Sequence, residues 1–133
     1  MYLLDTNVLS ETRKAQANPN VMQWLAAQGS EGLFISVMSL GEIQRGISKQ
    51  RIFNPDFAAE LQIWLDALQT RFAKQILPVT PNIARRWGEM SQVLGNKSVD
   101  LIITATALEY GLCVVTRNIT DFEVTSVKTL NVF

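Results

Sequence analysis

Histidine is absent from these 133 residues, and cysteine occurs only once, as Cys113. Imidazole is therefore excluded both from metal binding and from acid–base catalysis, and no internal disulfide can form. Any metal site must be lined by oxygen atoms, which favours Mg²⁺, Mn²⁺ or Ca²⁺ over Zn²⁺. Cys113 stands in the apolar run LCVVT, where we interpret it as a small buried hydrophobic residue.

The sequence also lacks long apolar runs and net charge. No apolar segment approaches the roughly 20 residues that span a membrane. The start MYLLDTN has neither the basic stretch nor the cleavage site of a secretion signal. We therefore expect a cytoplasmic protein with no membrane partner. Twelve basic and twelve acidic residues balance, so net charge alone gives no signal for nucleic-acid binding.

Strand-like and helix-like segments alternate along the whole chain. The runs YLLD, LFIS, ILPV and LCVVT predict four strands, and VKTLNVF predicts a weaker fifth. Helix starts are predicted at three capping residues followed by proline: Asn18-Pro19, Asn54-Pro55 and Thr80-Pro81. Helix ends are predicted at Gly29, Gly95 and Gly111. This alternation predicts an α/β fold, a three-layer α/β/α sandwich with a central parallel sheet of four to five strands, in a single domain of residues 1–133.

Four carboxylates interrupt or follow strongly apolar segments. Asp5 ends YLLD, Glu42 lies in VMSLGEI, Asp100 opens VDLIITATAL, and Asp121 follows LCVVT. An ionised carboxylate is costly to bury without a counter-charge. Ligands of parallel sheets bind beyond the carboxyl ends of the strands, which is where Asp5 and Asp121 are expected. Taken together, the four acids predict one site with a shared divalent cation.

Each acid also has a simpler interpretation when it is taken alone. Asp5 could cap the helix that follows it, and Asp121 could be a turn residue in RNITDF. Glu42 and Asp100 are expected in the first turns of helices, where unpaired backbone N–H groups favour negative side chains. On this interpretation the chain is a non-catalytic binding module whose acids only stabilise helix starts.

The segments that carry the four acids resemble the motifs of PIN domains. They are YLLDTNVLSE, SVMSLGEIQRGI, VDLIITATAL and VVTRNITDF, and their order and spacing are those of the family along the whole chain. The sequence is most similar to the VapC-type ribonuclease toxins of bacterial toxin–antitoxin pairs, in the FitB-like branch. Residues 54–71 carry little family information. Gly41 stands where alanine is commoner, but no acid is missing.

The resemblance implies a role for each acidic residue. Asp5 and Asp100 correspond to direct metal ligands. Glu42 and Asp121 correspond to acids that bind through water or hold a second ion, and Asn118 accompanies Asp121 in the last motif. Two further positions, Thr6 and Thr116, match polar residues that orient the acids.

The resemblance further implies an endoribonuclease that depends on Mg²⁺ or Mn²⁺. Such an ion polarises a phosphoryl oxygen and activates the attacking water. The implied partners are an RNA substrate, a cognate VapB-like antitoxin that docks a C-terminal helix in a groove, and a second copy of the chain in a homodimer. A haloacid-dehalogenase-like phosphatase is an alternative that would use Asp5 as its nucleophile, but that class has a second acid where this chain has Asn7.

Three details around the acids stay open at this stage. Ser39 and Glu42 have the spacing of a capping box, but Ser36 is an equally good helix cap. Arg45 lies one turn beyond Glu42, so it could form an ion pair with that acid or contact a phosphate or the antitoxin. Arg117 could contact RNA or be a solvated turn residue.

Overall fold

A computed structural model of the protein describes all residues from 1 to 133. Its five short strands are β1 (Tyr2–Leu4), β2 (Leu33–Ser36), β3 (Ile76–Leu77), β4 (Cys113–Val115) and β5 (Thr129–Leu130). They form one sheet in the order β3-β2-β1-β4-β5, and every neighbouring pair is parallel. The central strand β1 pairs Tyr2 with Leu33 of β2 and with Cys113 of β4. The predicted parallel sheet is confirmed, with five strands.

Six helices connect the strands. They are α1 (Thr6–Glu11), α2 (Pro19–Ala27), α3 (Val37–Phe53), α4 (Pro55–Arg71), α5 (Pro81–Leu94) and α6 (Val99–Tyr110). The three predicted starts are confirmed, because the side chains of Asn18, Asn54 and Thr80 accept backbone N–H groups of α2, α4 and α5. Gly95 and Gly111 end α5 and α6 at φ values of 65° and 66°, which glycine adopts without strain.

One helix end differs from the sequence-based expectation, and the cap of α3, which was open between Ser36 and Ser39, is decided by the structure. Helix α2 ends at Ala27 rather than near Gly29, because Gln28 already has an extended backbone. Ser36 caps α3 by accepting the N–H of Met38, so α3 begins at Val37, directly after β2. Glu42 is therefore the sixth residue of α3 and lies in its second turn. Its expected place in the first turn was wrong.

The sheet separates two apolar clusters, as the alternation of side chains along its strands requires. Leu4 and Val115 belong to a cluster that they share with residues of α1, α2, α3 and α4. Leu3 and Val114 belong to a second cluster, which is completed by residues of α6 and by Phe122. Helix α5 packs against α6 outside this second cluster. The result is the predicted three-layer α/β/α sandwich.

The sequence predicted that Cys113 is buried and that no segment spans a membrane. Cys113 is only partly buried, although desolvation is sufficient to raise the pKa of its thiol. None of the helices combines the length and the apolar character that crossing a bilayer would require.

The second cluster gives a direct test of the packing. Ile103 of α6 is fully buried, whereas Ile63 of α4 is 71% exposed. We expect Ile103→Ala to lower the free energy of unfolding by about 2–5 kcal/mol, because it removes buried methyl groups and leaves a cavity. Ile63→Ala should change it by no more than about 0.5 kcal/mol. Urea denaturation of both variants measures the difference, and equal losses would contradict this packing.

Candidate active site

Asp5 lies at the junction of β1 and α1, and only 5% of it is exposed. Its backbone N–H donates to the carbonyl of Val115 at 3.0 Å, so β4 fixes the position of the main chain. Its Oδ1 accepts the N–H of Thr6 at 2.8 Å, which makes Asp5 the N-cap of α1. The capping interpretation of Asp5 is therefore correct, but it accounts for only one of the two carboxylate oxygens.

The other oxygen is held by Thr116, which is fully buried at the end of β4. Thr116 Oγ1 donates to Asp5 Oδ2 at 2.8 Å, although the two residues are 111 positions apart in the sequence. The same Oγ1 accepts the backbone N–H of Asn118 at 3.0 Å and Nδ2 of Asn7 at 3.3 Å. A hydroxyl offers one donor and two acceptor positions, so the hydroxyl of Thr116 has no further hydrogen-bonding capacity.

Asn7 is a residue that the sequence analysis did not assign to the site. Its Nδ2 also approaches Asp5 Oδ2, at 3.4 Å, and its Oδ1 accepts the backbone N–H of Arg117 at 3.2 Å. Asn7 thus links the first turn of α1 to the loop after β4. In the sequence, the position of Asn7 two residues after Asp5 is evidence only against a phosphatase. No local pattern predicts its hydrogen bond to Arg117, which is 110 residues away.

Glu42 is joined to Asp5 through Thr6. Thr6 Oγ1 donates to Glu42 Oε1 at 3.0 Å, while the backbone N–H of the same residue donates to Asp5. This contact is possible because α1 packs against α3. Thr6 and Thr116 therefore hold acidic side chains, as the resemblance implied for both positions.

Asp100 and Asp121 approach the same edge of the sheet from two other segments. Asp100 lies in the first turn of α6, as expected. Asp121 belongs to a short 3₁₀ helix, Ile119–Phe122, in the loop that follows β4. Asn118 stands just before this turn and is exposed, and its backbone N–H binds Thr116.

Three of the four acids have raised pKa values, and the charges of other acids in the set contribute to each of these shifts. Burial is the largest cause that raises the pKa of Asp5, and the negative charge of Asp121 adds to it. Burial also raises the pKa of Glu42, with further contributions from Asp5 and Asp100. For Asp100 the causes are burial, then Asp5, then Asp121. Each of these three acids is thus affected by at least one other member of the set.

The acids do not form a closed cage of ligands. No three acidic side chains converge closely enough to hold one ion between them. Mg²⁺ is usually bound by only one or two carboxylates and keeps several waters, so a closed cage is not required for it. An oxygen-only donor set, with the buried Asp5 held by neutral donors, fits such an ion.

A groove opens beside Glu42 between α1, α3 and α4. It has a volume of about 280 Å³, and Thr6 and Glu42 lie at the end that meets the acids. Phe57, Leu61 and Trp64 of α4 form its apolar wall. Trp64 Nε1 donates to Thr12 Oγ1 at 2.9 Å, a bond that fixes this wall relative to the end of α1. The groove thus joins an apolar wall on α4 to the acid Glu42.

Known proteins share both the sequence pattern and the fold. Residues 2–127 match the family described as PIN domain. A VapC ribonuclease of Sinorhizobium fredii is 30% identical, over 98% of this chain and 96% of its own length. Toxin FitB of Neisseria gonorrhoeae is 29% identical, over 98% and 97%. In the crystal structure of FitAcB from Neisseria gonorrhoeae, a chain aligns with a TM-score of 0.84 at 29% identity, covering 98% of this chain and 97% of that chain. The resemblance carried by the four motifs is confirmed.

The charge of Asp100 should destabilise the metal-free fold. Its pKa is raised above the ordinary value of 3.8, so the penalty on the folded state grows as the pH rises through 3.8 and is complete above the raised pKa. We expect Asp100→Asn, measured with a chelator, to have a higher free energy of unfolding than the wild type at neutral pH. The difference should disappear well below pH 3.8, where the carboxyl is protonated in both the folded and the unfolded state. Urea denaturation at both pH values tests this, and a less stable variant at neutral pH would contradict it.

The link made by Asn7 should be measurable as stability. Asn7→Ala removes the acceptor of the Arg117 N–H and a donor to Thr116 and Asp5. We expect the free energy of unfolding to fall by about 1–3 kcal/mol, because partly buried partners lose their hydrogen bonds. Asn20→Ala is the control, since Asn20 is exposed on α2. Thermal and urea denaturation should show a loss for Asn7→Ala alone.

Proposed function

Because this chain belongs to the PIN domain family, we propose that it is a metal-dependent endoribonuclease that acts as the toxin of a toxin–antitoxin pair. The observation that supports the proposal is that Asp5, Glu42 and Asp100 each have a pKa raised by burial and by the charge of another acid of the set, Asp121 among them. The relatives support the reaction class, since one is a VapC ribonuclease and another is the toxin FitB. In this proposal residues 1–133 act as one nuclease domain in the cytoplasm.

Two of the acids are assigned to the ion and two to water. Asp5 and Asp100 would hold Mg²⁺ or Mn²⁺, and Glu42 and Asp121 would position its waters or a second ion. A bound divalent ion supplies polarisation of a phosphoryl oxygen and a lower pKa for the attacking water. Asn118 is included as a residue of the site because it borders the loop that carries Asp121.

The chain's own residues account for proton transfer without histidine. A carboxylate is a more effective general base when its pKa lies closer to the working pH. Burial and the charges of Asp5 and Asp100 raise the pKa of Glu42 in this direction. Thr6 Oγ1 holds the Glu42 carboxylate at 3.0 Å and so fixes where it can accept the proton of the attacking water. We assign Glu42 this role.

Asp5 is kept in place by neutral donors. The N–H of Thr6 and the hydroxyl of Thr116 stabilise its ionised form and oppose the effect of burial on its pKa. Oδ1 retains an acceptor position, because a carboxylate oxygen can accept about two bonds and Oδ1 accepts only the N–H of Thr6, whereas Oδ2 already accepts Thr116 and is approached by Asn7. Asp5 is therefore oriented for a ligand role before any ion arrives.

The proposed partners follow from the groove and the relatives. The apolar groove beside Glu42 fits one face of an amphipathic helix, and we propose that it receives the C-terminal segment of a VapB-like antitoxin. A segment in that groove would end next to the acids and obstruct their access to RNA. The FitAcB structure, whose chain shares this fold, supports a paired arrangement, and we also propose a homodimer.

The two alternative functions agree less well with the side chains. A haloacid-dehalogenase-like phosphatase needs an acid where Asn7 lies, and here the amide of Asn7 binds Asp5 and Thr116. A module whose acids only cap helices does not explain Glu42, because α3 is capped by Ser36 and Glu42 lies in the second turn.

The proposal is tested with purified protein and a substitution at Asp5. We expect wild-type protein to cleave single-stranded RNA when Mg²⁺ or Mn²⁺ is added, and Asp5→Asn to reduce the rate by about 100-fold or more. Mn²⁺ should raise the melting temperature of the wild type, because an ion that binds only the folded state stabilises it, and this increase should be lost in Asp5→Asn. Asp66→Asn, on the exposed surface of α4, is the matched control.

Expression in bacteria supplies the corresponding test of the toxin role. The wild type should arrest growth when it is produced alone, and Asp5→Asn should not. Cleavage that persists at the wild-type rate in Asp5→Asn, or that is unaffected by a chelator, would refute the metal-dependent mechanism. Harmless expression of an active nuclease would refute only the toxin role.

A further inference from the structure

The twelve basic side chains of the protein fall into two equal groups. Six are engaged by a neighbour, through an ion pair, a hydrogen bond or an aromatic ring: Lys14 with Glu11, Arg86 with Glu109, Arg51 with Gln62, and Arg13, Arg71 and Arg117 over Phe57, Phe72 and Phe133. The other six are exposed, and their side chains make none of these contacts: Arg45, Lys49, Lys74, Arg85, Lys97 and Lys128.

Three of the free cations lie beside the acids. Arg45 and Lys49 follow Glu42 by three and seven residues on α3, so they share one stripe of that helix with it. Lys97 precedes Asp100 by three residues, at the start of α6. Helices α3 and α6 contact each other, so the segments that carry these free cations are the neighbouring segments that also carry Glu42 and Asp100.

The other three free cations lie on other segments. Lys74 and Lys128 come just before β3 and β5, and therefore lie at the amino edge of the parallel sheet. Arg85 of α5 lines a polar cavity with Glu109, which is near the end of α6 opposite to Asp100. The two sets of three have the same composition, one arginine and two lysines.

A basic residue one turn from an acid can form an ion pair with it on the helix surface. Arg45 forms no such pair with Glu42, whose Oε1 instead accepts the hydroxyl of Thr6. Arg117 lies with its guanidinium 4.4 Å from the ring centroid of Phe133, so it is not part of this set of free cations. Arg45, Lys49 and Lys97 thus have no side-chain partner in the protein and are accessible to a ligand.

A polyanion that approaches four carboxylates is repelled unless positive charge lies nearby. Cations paired with the acids would be unavailable to phosphates, whereas unpaired cations next to the acids can hold the RNA backbone. We propose that Arg45 and Lys49 on α3 and Lys97 before α6 form a phosphate track that holds the RNA backbone across the acidic edge. This inference rests on the proposed ribonuclease function.

The two sets of free cations provide a matched experiment. One protein carries Arg45→Gln, Lys49→Gln and Lys97→Gln, and its control carries Arg85→Gln, Lys74→Gln and Lys128→Gln. Both are made in the Asp5→Asn background, so that a fluorescent single-stranded RNA stays intact while its binding is followed by anisotropy at increasing KCl. The slope of log K against log [KCl] is negative, and each lost phosphate contact reduces its magnitude by about 0.7. We therefore expect the magnitude to fall by about 2 for the first triple and by much less for the control.

Kinetics in the otherwise wild-type background provide a second readout. Phosphate contacts away from the reacting bond should contribute equally to ground-state and transition-state binding, so the first triple should raise KM by roughly tenfold or more and leave kcat unchanged. Thermal denaturation checks that both triples are folded. Equal slopes and equal KM values for the two triples would show that Arg45, Lys49 and Lys97 do not bind RNA phosphates. These cations would then be candidates for contacts with a protein partner. That outcome would refute the phosphate track but not the nuclease function. Wild-type protein that neither binds nor cleaves RNA would refute the proposed function as well.

Discussion

The candidate site depends on the parallel pairing of β1 with β4. This pairing sets Leu4 opposite Val115, so the next residue of each strand, Asp5 and Thr116, emerges at the same edge of the sheet. The bond from Thr116 Oγ1 to Asp5 Oδ2 and the bond from Asp5 N–H to the Val115 carbonyl follow from that register. A shift by one residue would turn one of these side chains to the opposite face of the sheet.

The register is held by few backbone bonds, because β1 and β4 are each only three residues long. Side chains therefore contribute to it at the site itself. Asn7 connects α1 to the main chain of Arg117 and to Thr116, which fastens the two strand ends just beyond the sheet. The hydrogen bonds that orient the acid are thus also bonds that hold the central pair of strands together.

The same arrangement has an electrostatic cost. Burial and mutual repulsion raise the pKa values of Asp5, Glu42 and Asp100, so the metal-free fold is less stable at neutral pH than it would be without these charges. A cation that binds only the folded state offsets that cost. The helix starts, the hydroxyl donors and the apolar core together stabilise a site that is unfavourable in isolation, which is a common feature of functional sites.

The sequence predicted those parts of the fold and site that depend on local signals, and it missed those that depend on contacts between distant segments. The capped prolines marked three helix starts correctly, and the apolar segments around the acids distinguished them from the other carboxylates of the chain. The predicted position of Glu42 in the first turn of α3 was wrong. Ser36 and Ser39 are equally good caps by spacing, and only the end of β2 decides between them. Whether Arg45 pairs with Glu42 was equally undecidable from its position. In the structure Glu42 Oε1 accepts the hydroxyl of Thr6, 36 residues earlier, and Arg45 forms no ion pair with it.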